Sequence, residues 1–146
     1  MPTPNDHLIE DDVWIACPPP WVFAAVTKAE ELAGWWPKAA VSEPRPEGRL
    51  VFTWFSGGTL ETRFTRFEPD RAVAFEFGRE HVEFVLEPEQ GGTRFRVRHR
   101  CPRASAIHVA QAWGFLKASL KAYLEAGFDV RGTAPGPESR SGGGGG

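Results

Sequence analysis

The chain has 146 residues, 41% hydrophobic and 25% charged, with a net charge of −2, the profile of one ordinary globular domain with enough length for a core. That balance and a pI near 6.1 argue against nucleic acid or an anionic membrane as the main partner. No apolar run approaches the ~18 residues of a membrane span, and no basic-then-apolar leader opens the sequence, so a cytoplasmic location is the default expectation.

Residues 1–6, with two prolines and no pattern, read as a frayed start. His7 to Ala16 alternates as a strand, with Val13 and Ile15 inward. Pro18, Pro19 and Pro20 suit the first turn of a helix. Trp21, Val22, Ala25 and Val26 make its apolar face, and Thr27 is placed to cap a second short helix ending at Gly34. From Arg49 the period changes to two. Leu50, Phe52 and Trp54 point one way. After the turn at Ser56-Gly57-Gly58 come Thr62 and Phe64, then Val73, Phe75 and Phe77, then Val82, Phe84 and Leu86, then Phe95, Val97 and His99. Short turns between these runs predict an antiparallel meander with one apolar face.

Ser105 to Gly127 is the longest helical pattern. At 100° per residue Val109, Trp113, Leu116, Leu120, Tyr123, Leu124 and Gly127 share a stripe, and Gln111, Gly114, Ala118, Lys121 and Glu125 lie opposite. Such a helix is about 34 Å long and needs a large partner surface, which the strands can supply. Residues 129–146 are rich in Gly, Pro and Ser and end in five glycines; they read as a disordered tail or linker. The domain is therefore expected over residues 7–128.

Four collinear strings, ACPPPWVFAAVTKAEELAGWWP at 16–37, FEPDRAVAFEF at 67–77, FVLEPEQGGTRFRVRH at 84–99 and QAWGFLKASLKAYLEAG at 111–127, resemble the SRPBCC (START-related, birch-pollen-allergen-like) superfamily. Within it they resemble the group named after the activator of the heat-shock protein 90 ATPase. The resemblance implies an α+β helix-grip fold. Its parts are a curved seven-stranded antiparallel sheet around the long C-terminal helix, two short helices after the first strand, and a cavity between sheet and helix. In that fold Arg94, Arg96, Arg98 and Arg100 cover the outer face of one strand, flanked by Glu10 and Asp12 on one side and Glu83 and Glu87 on the other, a salt ladder rather than a phosphate site. The same pairing keeps Cys17 and Cys101 too far apart to bridge, leaving two free thiols.

The chain has eleven Phe and six Trp against a single Tyr, which favours a thick apolar interior or an apolar cavity. The candidate ligand-binding residues are Trp36, Phe52, Trp54, Phe64, Phe75, Phe77, Phe84, His99, Trp113 and Leu116. His99 is the one titratable side chain on an inward parity of the strands so read, fit to orient a ligand or to move a proton. No GxSxG, HExxH or CxxC occurs, no metal set is spaced for ligation and no cofactor is expected. The reading favoured is a domain that binds a small hydrophobic or aromatic molecule, and binding is favoured over catalysis. The alternatives are a co-chaperone-like interaction module whose partner is a chaperone, and an enzyme, cyclase- or hydrolase-like, using the same cavity. A His99 hydrogen-bonded to a second polar group would favour the last.

Overall fold

A computed structural model describes residues 6–132. The chain runs β1 (Asp6–Ile15), α1 (Pro19–Ala25), α2 (Ala29–Leu32), β2 (Ala39–Ser42), β3 (Arg49–Thr53), β4 (Thr59–Glu68), β5 (Ala72–Phe77), β6 (Glu80–Glu89), β7 (Gly92–Pro102), a 3-10 turn (Arg103–Ser105) and α3 (Ala106–Ala126). All seven strands form one antiparallel sheet in the order β1-β7-β6-β5-β4-β3-β2. Its concave face holds α3. This is the helix-grip architecture that the sequence pattern and the resemblance imply.

Strand parity decides which side chains meet the helix. Leu50, Phe52, Phe64, Val73, Phe75, Val82, Phe84, Leu86, Phe95 and Val97 are all at most 3% exposed, as the period of two requires. Two irregularities bend this rule. The register of β4 against β5 slips between Phe64 and Arg66, a bulge that lets Phe67 turn inward three residues after Phe64. Phe67 then packs edge-on against both Phe64 and Phe23 of α1, at 5.3 and 5.2 Å between ring centres. The other is β2, whose four residues are too few to show a period; it adds the seventh strand by pairing Val41 with Val51 and Ala40 with Phe52.

The helices depart from the sequence pattern in detail. In α1 the buried side chains are Val22, Phe23 and Ala25, followed by Val26, while Trp21 is 64% exposed. Prolines at the first two helical positions start the helix earlier and turn Trp21 outward. Thr27 does not cap α2. Its hydroxyl donates back to the Phe23 carbonyl at 2.7 Å, and Lys28 occupies the cap position with no side-chain bond. In α3 the stripe of Val109, Trp113, Leu116, Leu120, Tyr123 and Leu124 does face the core. Gly127 leaves it to end the helix with φ of 63°, the left-handed cap that glycine adopts without strain.

Two further side chains of α3 work outside the stripe. Ser119 is fully buried and donates to the Trp35 carbonyl at 2.8 Å. Lys121, on the face read as opposite, curls over the Trp14 ring to reach the Trp14 carbonyl at 2.7 Å. Gly34 lets α2 approach α3, because a Cβ there would lie 2.3 Å from the Tyr123 ring. Residues 129–132, read as the start of the tail, are placed against the domain by Arg131; the rest of that segment and residues 1–5 lie outside the described residues.

On the convex face Arg94 and Arg96 both reach Asp12, and Arg98 lies between Glu10 and Glu83. Arg96 also meets Glu87 at 3.0 Å. This is the ladder expected of opposite charges on neighbouring strands. Cys17 and Cys101 are buried and free, and burial pushes both thiols up, away from nucleophilic character. The core and the ladder should differ sharply in worth. Urea denaturation should show Phe84→Ala costing ~3–5 kcal/mol and Arg96→Ala less than about 1 kcal/mol; equal costs would contradict this division.

Candidate functional site

The concave face is not filled along its whole length. Towards the N-terminal end of α3 the packing stops short and leaves a cavity of ≈ 390 Å³. One wall is Trp36, Trp54 and Phe77 from the sheet side, and the other is Val109, Ala112, Trp113 and Leu116 from α3. Glu80, His99, Ser105 and His108 complete the lining. His108 is exposed and Ser105 half-buried, so the cavity opens where the 3-10 turn runs into the helix.

Trp36 is the side chain that shapes this space. It follows α2, is 9% exposed, and meets Phe52, Trp54, Phe75, Phe77, Phe84 and Trp113 at ring-centre distances between 5.0 and 6.2 Å. Its loop is held from behind by Arg131, whose guanidinium donates to the carbonyls of Ala33, Trp36 and Pro37 at 2.6–2.9 Å. Asp129 orients that guanidinium through two further bonds of 2.8 and 2.9 Å. A planar five-donor fork suits this task. The segment after α3 thus fixes the tryptophan that walls the cavity.

Of the ten candidate residues, Trp36, Trp54, Phe77, His99, Trp113 and Leu116 line the cavity. Phe52, Phe64, Phe75 and Phe84 do not; they are at most 1% exposed and form the solid core behind it. The lining residues outside the candidate set are Glu80, Ser105, His108, Val109 and Ala112. A signal for each was present. Glu80 shares the parity of Val82 and Phe84, and the helix positions follow from Trp113 and Leu116 by steps of three and four.

The polar corner is a buried chain of hydrogen bonds. Trp113 Nε1 donates to His99 Nδ1 at 2.8 Å, and His99 Nε2 faces Glu80 Oε1 at 2.6 Å. An indole N–H can only donate, so Nδ1 is the bare nitrogen and Nε2 carries the proton to Glu80. His99 is 4% exposed. Burial lowers its pKa below the ordinary 6.5, with Glu80 pulling the other way and His81 adding slightly to the fall. Both ring nitrogens are therefore engaged in the neutral imidazole. His99 touches a second polar group, as an acid–base pair would, yet it has no nitrogen left for a ligand. Glu80 keeps an acceptor: no other residue among those described hydrogen-bonds its second oxygen, and its side chain is 24% exposed.

Within this geometry the comparisons give the family. The profile described as "Activator of Hsp90 ATPase homolog 1-like protein" matches residues 16–125. The chain belongs to that family. Among solved structures it is similar to protein SSP2350 from Staphylococcus saprophyticus, with a TM-score of 0.78, 19% identity, and coverage of 86% of this chain and 96% of that one. The Aha1 dimer of Colwellia psychrerythraea has a TM-score of 0.73 and 22% identity, covering 83% and 98%. CalU16 from Micromonospora echinospora has a TM-score of 0.66 and 17% identity, covering 86% and 78%. At these identities the likeness is one of fold. No curated protein matches the sequence. Among the described residues no helix is long and apolar enough to cross a membrane.

The tautomer has a pH consequence. A group whose folded pKa is lowered contributes stability above its unfolded pKa and loses it as pH falls. Protonation would also turn Nδ1 into a donor facing the Trp113 donor. The melting temperature should fall more steeply between pH 6.5 and about pH 5 in the natural protein than in His99→Gln, which cannot titrate there; parallel profiles would contradict the neutral assignment.

Proposed function

We propose that this domain binds a small hydrophobic or aromatic molecule in the cavity between the sheet and α3. One observation carries the reading: the packing of a chain so rich in aromatic residues leaves ≈ 390 Å³ unfilled, walled by Trp36, Trp54, Phe77 and Trp113. Most of the lining side chains are large, and the small ones, Ala112 and Ser105, come from α3 and the turn before it. Unfilled apolar space costs stability, and an apolar guest recovers that contact. The proportions are those of a small-molecule site, apolar walls with a few convergent polar groups.

The catalytic reading has less support. As the general base, His99 would need a free ring nitrogen within reach of the substrate, and it spends both on Trp113 and Glu80. Its role in this proposal is to hold Glu80 and the Trp113 ring in fixed positions.

Three tryptophans line the cavity, so binding should be visible in intrinsic fluorescence. A panel of small aromatic and alicyclic compounds should contain members that shift the emission and raise the melting temperature. Saturation at ~100 times Kd should add about 2.7 kcal/mol of stability. Leu116→Arg, which places a charge in the cavity, should abolish both responses. A panel that moves neither signal, or shifts that persist in Leu116→Arg, would overturn the proposal.

A further inference from the structure

The polar lining of the cavity is lopsided in charge. Among the described residues, Glu80 is the one carboxylate that lines it, and no Lys or Arg does. Its partner His99 is held neutral by burial, so it cancels none of the charge. Oε1 takes the His99 proton, while Oε2 has no hydrogen-bond partner among the described residues. The other heteroatoms are spent or peripheral: Trp113 Nε1 is bonded to His99, and Ser105 and His108 sit at the rim. A carboxylate with one oxygen unspent therefore belongs to the lining of a space otherwise walled largely by aromatic and aliphatic side chains.

Such surroundings discriminate among head groups. An anion entering the cavity meets a like charge at low dielectric with no cation to offset it. A neutral hydroxyl finds one acceptor. An ammonium finds a charge-assisted hydrogen bond to Glu80 in a cavity also lined by Trp36, Trp54 and Phe77, rings of the kind that attract cations. We infer that the cavity is selective for a protonated hydrophobic amine, with the ammonium on Glu80 and the apolar body between the Trp36 side and α3. This rests on the cavity reading above and names the ligand class for it.

The test uses the full chain and three probes with one skeleton: phenylpropylamine, phenylpropanol and phenylpropionate, titrated by isothermal calorimetry at neutral pH. The amine should bind about tenfold or more tightly than the alcohol, and the carboxylate weakest. Raising the salt should narrow the gap between amine and alcohol. Glu80→Gln keeps an acceptor for His99 and should remove the amine's advantage while leaving the alcohol within about threefold. An alcohol that binds as tightly as the amine, or an amine preference that survives in Glu80→Gln, would overturn the inference and leave the cavity reading standing. Failure of all three probes to bind would overturn both.

Discussion

The indole of Trp36 sets the shape of the interior. It stands where the loop after α2 enters the concave face of the sheet, against the rings of Phe52, Phe75 and Phe84 on one side and Trp113 of α3 on another. Every inward aromatic from β3, β5 and β6 therefore packs on a single side chain, and so does the helix. What fixes that side chain is polar. Arg131 donates to the carbonyls of Ala33, Trp36 and Pro37, and Ser119 donates to that of Trp35. Buried carbonyls left without donors are costly, so the loop has one low-energy place to sit. With Trp36 so pinned, the rings behind it close into a solid core. The space in front of it, towards the start of α3, stays open.

Lining that space is the chain of hydrogen bonds described above. Trp113, His99 and Glu80 are drawn from α3, β7 and the start of β6, and each spends its hydrogen-bonding groups on the next. A partly satisfied network would be worse than an apolar lining. Here the chain is complete up to its last atom, the second oxygen of Glu80, which has no hydrogen-bond partner among the described residues. The core and the site are thus built from the same aromatic inventory and differ in one respect. The rings behind Trp36 pack on one another, whereas the lining of the cavity includes a carboxylate.

Much of this was legible in the sequence because a period of two is a direct record of which side a residue faces. Phe52, Phe64, Phe75, Phe84, Phe95 and Val97 could be placed inward from alternation alone, and the arginines of β7 outward; their acidic neighbours followed from the fold that the resemblance implied. The stripe of α3 was equally plain. Elements that escaped did so for physical reasons. The four residues of β2 are too short for a period, and the bulge in β4 breaks parity, so Phe67 faces the core against its count. Arg131 looked like part of a polar tail because its partners are backbone carbonyls nearly a hundred positions upstream, and backbone acceptors leave no trace in side-chain patterns. Depth along the concave face escaped too. Parity tells inward from outward, not solid core from cavity, so Phe52 and Trp54 looked alike when only Trp54 lines the space. Glu80 had the inward parity but stood beside the Gly78-Arg79 turn, where a charged residue is ordinarily solvated.

The central claim is that the space beside Trp36 and Trp113 is empty and is where a ligand sits. Ala112→Phe tests it most directly, since Ala112 lines the cavity from α3 and the added ring would occupy the space a guest would take. Thermal unfolding and ligand titration of that one variant should show a melting temperature unchanged or raised, as for a filled cavity, together with loss of binding for hydrophobic compounds that the natural protein takes up. A variant that is strongly destabilised, as overpacking of a full core would be, or one that binds as before, would contradict the account.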